Sequence, residues 1–163
     1  MNRYQETYQL ISELKKAPTS FFWKKENLSQ KIKILDRISD IGTAENIVHL
    51  VSLTQHKNKR LREKTVETIA ILLKKTTRRS RIYSSLRYCD ILAKDLDIYQ
   101  KIYKEKHLIP LFIIASMNRN GFVRARAIQA FGKYPNPQLI KYLLFRLADW
   151  VGQNRTSARI TLD

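Results

Sequence analysis

The sequence predicts an all-α fold of stacked antiparallel helix pairs, on the basis of an internal repeat and of the composition. Two copies of one pattern follow each other after residue 105: an apolar helix, a short polar turn, and a helix opened by Val and Arg. Aligning them places Arg124 on Arg155 and Ala127 on Ala158, a period of 31 residues. A two-helix repeat of this length is typical of an α-solenoid. Only four Gly and four Pro are present, few for the turns of a sheet.

The composition is that of a globular protein, with 44% apolar and 28% charged residues. A single cysteine, Cys89, excludes an internal disulfide and a cysteine-based zinc site. Residues 1–16 lack the apolar segment of a secretory signal, and the longest apolar run, 108–115, is too short to span a membrane. We therefore expect a cytoplasmic protein, either free or at the cytoplasmic face of a membrane.

Residues 1–24 are predicted to form an N-terminal helical cap. Tyr4, Tyr8, Ile11 and Leu14 have helical spacing in this segment, and Pro18 follows them. Three consecutive aromatic residues then precede two lysines. We expect these aromatic side chains to cover the apolar end of the first repeat, and the alternative is insertion into a membrane interface. They are Phe21, Phe22 and Trp23.

A partial repeat at 25–42 and a complete repeat at 43–75 follow. Residues 28–41 carry a helical apolar stripe, and Gly42 is expected to end that helix in a left-handed conformation. Thr43 is the predicted N-cap of a helix that continues to about Thr54. Residues 59–75 are predicted to form the second helix of this repeat.

The C-terminal half contains three further segments. Residues 76–105 are predicted to form a divergent repeat or a helical insertion, since Ala93 stands where the repeat has an arginine. Residues 106–135 and 136–163 are the two clear repeats. The last helix begins near Gln153 and stops at Asp163, so we expect a fragment of a longer array, or another element that covers this face.

The final repeat resembles a HEAT-type repeat, in which an Asp closes the first helix or its turn and an Arg opens the second helix. Asp149 and Arg155 match both positions. Earlier repeats keep the arginine, as Arg62 and Arg124, but have His56 and Asn118 at the acidic position. The resemblance implies structural roles for Arg62, Arg124, Asp149 and Arg155. It also implies a binding scaffold whose second helices line a concave surface, and some members of such families bind nucleic acid.

The net charge of +17 indicates a polyanionic partner or a general solubility role. Eleven Lys or Arg but only two acidic residues lie between positions 57 and 87. Hydroxyl side chains alternate with cations in this tract, and Tyr83 and Tyr88 could stack on bases. The candidate nucleic-acid or anion-binding residues are Lys57, Lys59, Arg60, Lys64, Lys74, Lys75, Arg78, Arg79, Arg81, Arg126 and Arg159.

The sequence contains no recognisable catalytic motif, and we expect no metal and no cofactor. Its three histidines lack metal-ligand spacing, and Asp90, Asp95 and Asp97 are expected to lie on a solvated helix face. Trp150 beside Asp149 leaves a DNA-glycosylase-like activity as an alternative. The predicted function is a non-enzymatic scaffold for a protein partner. Nucleic-acid binding and attachment to an anionic membrane are the alternatives.

Overall fold

The computed structural model describes residues 2–16, 27–75 and 84–163, and within these ranges it is helical, without any strand. The predicted all-α class is thus confirmed. The chain divides into two compact units, Met1–Ile82 and Tyr83–Asp163. Among the described residues, no helix combines the length and apolar character needed to cross a membrane.

The first unit is built from four α-helices within its described part. They are α1 (Arg3–Lys15), α2 (Leu28–Ile41), α3 (Ile47–Leu50) and α4 (Lys59–Lys75). Helix α2 packs against both α1 and α4. Because its apolar positions recur at three- and four-residue intervals, one face of α2 meets the matching face of α4. The core between them contains Leu35, Ile38, Leu61, Ile69 and Leu72, all fully buried.

The segment before α4 is not the single α-helix that the sequence predicts. Helix α3 lies between two 3₁₀ segments, Ala44–Asn46 and Val51–Gln55. The Thr43 N–H donates to Asn46 Oδ1 at 2.7 Å, and the Thr54 hydroxyl donates to the Val51 carbonyl at 2.6 Å. The Asn46 N–H donates to the Thr43 carbonyl and the His56 N–H to the Leu53 carbonyl, both at 3.1 Å, and this three-residue backbone spacing is that of a 3₁₀ helix.

Gly42 ends α2 for a different reason from the one predicted. Its φ of −73° and ψ of 170° are extended, so the expected left-handed conformation is wrong. A Cβ at this position would lie only 2.6 Å from the Ile38 carbonyl oxygen, which also accepts the Gly42 N–H at 2.8 Å. Glycine is needed here because the chain passes too close to the end of its own helix for any side chain.

The second unit contains α5 (Ala93–Ile102), α6 (Glu105–Ser116), α7 (Gly121–Lys133), α8 (Pro137–Arg146) and α9 (Gly152–Leu162). Two asparagine N-caps set the starts of α7 and α8. Asn120 Oδ1 accepts the Phe122 N–H at 2.9 Å, and Asn136 Oδ1 accepts the Gln138 N–H at 3.0 Å. Pro137 takes the first helical position, where a missing N–H costs nothing.

Helix α6 forms the centre of the second unit. Every residue from His107 to Ser116 is buried. The helix packs against α5, α7 and α8, while α9 packs against α7 and α8. A helix that is apolar all round requires neighbours on all sides, and α6 has them.

Candidate binding surfaces

Three arginines near the starts of α4, α7 and α9 make the same contact. Arg62, Arg124 and Arg155 each donate from Nη1 to the backbone carbonyl six residues earlier. The distances are 3.5, 2.9 and 2.7 Å, respectively. The positions that the repeat aligns therefore share one geometry, in which the second helix of a pair is bonded to the turn before it.

The residues at the acidic position of the repeat also share a contact, although their side chains differ. His56 Nδ1, Asn118 Oδ1 and Asp149 Oδ1 each accept the backbone N–H two residues ahead, at 2.9 to 3.0 Å. What this turn uses is a lone pair at that position and not a negative charge. The loss of the acid in two of the three repeats leaves the turn intact.

A fully buried cluster joins α7 to the turn before α9. Arg124 donates to both carboxylate oxygens of Asp149, at 2.7 and 2.8 Å, and Arg146 donates to one of them at 2.8 Å. All three side chains are at most 4% exposed. Burial would raise the pKa of Asp149, but hydrogen bonds from Arg124 and the Val151 N–H, with the charges of both arginines, hold that pKa below its ordinary value.

Two members of the polar core were not predicted from the repeat. Arg146 stands where the preceding repeat has Ala115, so the pattern gives no signal for it. Asn154 replaces an apolar residue of the preceding repeat, Val123, and donates to the Gly121 carbonyl at 3.2 Å. A polar residue at an apolar repeat position was a usable signal for a structural hydrogen bond.

An aromatic and cationic cluster lies on the turns of the second unit. The guanidinium carbons of Arg87 and Arg119 lie 5.7 and 5.6 Å from the centre of the exposed Tyr88 ring, within cation–π range. The Arg119 N–H also donates to the Arg87 carbonyl at 2.9 Å. These contacts hold the two turns together and present the ring with its two cations to solvent.

Two aromatic side chains that are more exposed than Tyr88 flank the next pair of turns. Trp150 is 76% exposed and Phe122 is 80% exposed. The Arg124 guanidinium lies 5.5 Å from the Trp150 ring centre, and its Nη1 bonds the Arg119 carbonyl at 2.9 Å, which connects Trp150 to the Tyr88 cluster. We refer to the five residues Arg87, Tyr88, Arg119, Phe122 and Trp150 as the turn surface.

The basic tract does not gather into one patch on α4. Lys57, Lys59 and Arg60 lie at the N-terminal end of this helix, whereas Lys74 and Lys75 lie at its C-terminal end. A 17-residue helix is about 25 Å long, so the two groups are separated by most of that length. Four predicted residues fall outside the described residues: Arg78, Arg79, Arg81 and Tyr83.

Several candidate cations are bonded within their own unit. Lys64 pairs with Asp36, and Arg126 pairs with Asp97. Lys59 lies 4.0 Å from the Glu63 carboxylate. Lys75 donates to the Ser39 and Asp40 carbonyls at the end of α2. The candidates that stay exposed without such bonds in the described ranges are Lys57, Arg60, Lys74 and Arg159.

A shallow groove of about 300 Å³ lies beside α1 and includes Lys15 and His49. Lys15 Nζ lies 3.4 Å from His49 Nδ1. Burial, and then the Lys15 charge, lower the pKa of His49 below its ordinary value. Lys15 can therefore donate a hydrogen bond to an acceptor group in this groove. Lys15 and His49 together do not resemble a catalytic acid–base pair. Phe21, Phe22 and Trp23, on which the membrane alternative depends, lie outside the described residues.

The three aspartates near α5 do not form a joint site. Asp95 accepts the Leu92 N–H at 2.8 Å, Asp97 pairs with Arg126, and Asp90 is exposed. No group of three potential metal ligands occurs in the part of the chain that the structure describes. The Asp149 carboxylate already accepts four hydrogen bonds within the fold, from Arg124, Arg146 and the Val151 N–H.

Comparison with known proteins gives no family for this chain. No protein-family model matches the sequence, and no curated protein matches it either.

Proposed function

We propose that the protein is a non-enzymatic binding scaffold, built as an α-solenoid of HEAT-like antiparallel helix pairs, that binds a protein partner. The observation that carries the proposal is the turn surface, where the exposed rings of Tyr88 and Trp150 lie on turns with arginine contacts and exposed Phe122 lies in the first turn of α7. Exposed aromatic side chains of this size, on a rigid support, are the residues that dominate protein interfaces.

The repeat geometry supports the solenoid part of the proposal. The same arginine-to-carbonyl bond recurs in three helix pairs, and Arg124 binds the Asp149 carboxylate of the following pair. The Arg124–Asp149 contact joins one pair to the next, as the junctions of repeat architectures do. In such an arrangement the second helices line the concave side.

The composition of the turn surface favours a protein partner. Trp, Tyr and Arg are enriched among interface residues whose truncation costs about 2 kcal/mol or more. Arg119 is already held against Tyr88 and bonded through its backbone to Arg87, so little freedom is lost when a partner binds. A preorganised aromatic and arginine cluster gives affinity without a deep pocket.

Nucleic-acid binding is the second candidate, and Tyr88 between its two arginines is the observation that favours it. A base could stack on this ring, which is worth about 1–3 kcal/mol in single-strand binders. Against it, Lys64, Lys75 and Arg126 are engaged within the fold, and the α4 cations lie at opposite ends of the helix. Within the part of the chain that the structure describes, fewer cations therefore remain to contact phosphates together.

The test uses the full chain and two double variants. Phe122→Ser with Trp150→Ser removes the turn-surface anchors, while Tyr4→Ser with Tyr8→Ser removes two equally exposed aromatics from α1. Partner recovery by affinity capture, followed by titration of the purified partner, is compared among wild type and both variants. We expect the turn-surface variant to lose binding about 30-fold or more, equivalent to one hot spot, and the α1 variant to retain it.

Fluorescence anisotropy with labelled single- and double-stranded DNA and RNA tests the alternative of nucleic-acid binding. Sub-micromolar binding that persists at about 150 mM salt and is lost on Tyr88→Ser would favour nucleic acid over a protein partner. Binding that disappears by that salt concentration is general attraction to a polycation, and the protein-scaffold proposal stands.

A further inference from the structure

The outer side of α8 exposes apolar residues that its counterpart buries. Ile140 and Leu144 are 49% and 48% exposed. Their counterparts 31 residues earlier, Ile109 and Ile113 on α6, are 4% and 5% exposed. Helix α8 itself packs against α6, and no described helix takes the corresponding place against the outer side of α8.

Helix α9, which packs against α8, carries two exposed arginines. Arg155 and Arg159 are one turn apart, and their counterparts on α7, Arg124 and Ile128, are fully buried. Arg124 is bonded to the carboxylate of Asp149 from the following helix pair. Arg155 donates only to a backbone carbonyl, at 2.7 Å, and no described carboxylate lies within ion-pair distance of either exposed arginine.

We propose that these four residues, Ile140, Leu144, Arg155 and Arg159, form an end surface that docks an acidic amphipathic helix of another protein. The proposal rests on the scaffold function and names the chemistry of one partner. The apolar half of that helix covers Ile140 and Leu144, and its carboxylates bind the two guanidinium groups. Within the fold, Arg124 binds the carboxylate of Asp149, and Arg155, at the equivalent position, could bind a carboxylate of the partner in the same way.

The spacing of the end surface matches a helix. Ile140 and Leu144 are four residues apart on α8, as are Arg155 and Arg159 on α9. Each pair therefore spans about 6 Å along its own axis. A partner helix with apolar residues at i and i+4 and acidic residues on the adjacent face presents the same spacing.

Charge decides between this partner and a second copy of the chain. The chain carries a net charge of +17, to which the end surface contributes Arg155 and Arg159, and the nearest acid along α9 is Asp163, one turn beyond Arg159. Stacking two end surfaces would bring four arginines together, and this like-charge contact opposes association. An acidic helix neutralises the guanidinium groups of Arg155 and Arg159. Its apolar side also covers Ile140 and Leu144, which a nucleic acid would leave exposed.

The experiment titrates the full chain into a fluorescein-labelled synthetic helical peptide of about 20 residues, long enough to form a helix. The peptide carries Leu at i and i+4 on one face and Glu on the adjacent face. A second peptide has Lys in place of every Glu. The protein variants are Arg155→Glu with Arg159→Glu, the milder pair Arg155→Gln with Arg159→Gln, and Ile140→Ser with Leu144→Ser.

We expect the Glu peptide to bind wild type and to lose about tenfold or more in affinity with the charge-reversal and serine variants. The charge-reversal variant should gain binding to the Lys peptide. Lys94→Glu with Lys101→Glu makes the same charge change at exposed positions of α5 and should leave both affinities unchanged. Circular dichroism establishes that each variant is folded, and the Gln pair replaces the Glu pair if the latter unfolds.

Equal affinity of the Glu peptide for wild type and the Gln or Glu variants would overturn the proposal. A wild-type dimer in sedimentation, converted to monomer by the serine variant, would do so too, because a second copy would then occupy the surface. The Phe122→Ser, Trp150→Ser variant separates the two functional claims. It should bind the Glu peptide normally even if the turn surface proves to have no partner.

Discussion

Helices α6 and α7 carry the same pattern as α8 and α9, but the two pairs place equivalent side chains in opposite environments. Ile109 is buried where Ile140 is half exposed, and Arg124 is buried against a carboxylate where Arg155 faces solvent. The side chains are identical at both positions, so the difference comes from what lies next to them. In a repeat protein a residue's energetic role is set by the neighbouring pair as much as by its own.

The largest effect is expected where the two pairs are joined by charge. Asp149→Asn leaves Arg124 and Arg146 buried without a carboxylate, and should lower the free energy of unfolding by about 3–5 kcal/mol. Arg155→Ala removes one partly exposed hydrogen bond and should cost about 1 kcal/mol. Urea unfolding, monitored by circular dichroism, measures the loss of stability in both variants. Equal losses would contradict the expected difference between the buried and the exposed arginine contacts.

Acid provides the control for the Asp149 result. Because the folded-state pKa of Asp149 is depressed, its contribution is fully present above the pKa of the unfolded chain, about 4, and is lost as pH falls below that value. The stability difference between wild type and Asp149→Asn should therefore shrink as the pH is lowered from 5 toward 3. A difference that stays constant over that range would show that the cost is not electrostatic.

The next effect compares one substitution at two equivalent sites. Ile109→Ala opens a cavity in the core of the second unit and should cost about 2–4 kcal/mol. Ile140→Ala truncates a half-exposed side chain and should cost about 1 kcal/mol or less. Thermal and urea unfolding of the two variants measure these two losses in the free energy of unfolding. When a partner that covers α8 is bound, the loss of stability caused by Ile140→Ala should rise toward the loss caused by Ile109→Ala.

A third effect, smaller than the losses expected at Asp149 and Ile109, concerns the acid missing from the preceding turn. Asn118→Asp gives this turn the acid that the last repeat has at Asp149, but the position equivalent to Arg124 holds Ala93. The substitution also replaces the amide that donates to the Cys89 carbonyl at 2.7 Å with a buried carboxylate. We expect a loss of about 1–3 kcal/mol at neutral pH, which Ala93→Arg should partly reverse in the same unfolding measurement. Stabilisation by Asn118→Asp alone would contradict this account.

Much of the helical framework could be predicted from apolar spacing. The predicted helices at 28–41 and 59–75 coincide with α2 and α4, and the period of 31 residues identified the arginines that share the carbonyl contact. These features are local or repeat in register, so a single sequence contains their signal.

Features that depend on space or on tertiary neighbours could not be predicted in this way. The close approach of the chain to Ile38 at Gly42, and the burial of Arg146 against Asp149, are set by packing. The exposure of Phe122 and Trp150 could not be predicted from the pattern either, because apolar spacing does not determine whether a single aromatic residue at a helix start or in a turn is buried. The turn surface and the end surface were therefore found only in three dimensions.

The turn before each second helix requires nothing more of its key residue than a lone pair. An imidazole, an amide and a carboxylate all satisfy it, as His56, Asn118 and Asp149 do. What differs is the contact across the junction to the preceding pair: the acid at 149 binds Arg124, whereas the position equivalent to Arg124 in the stretch before Asn118 holds Ala93. Exchanging the side chains at 118 and 149 would therefore preserve the bond within each turn and remove the carboxylate from the buried Arg124 contact.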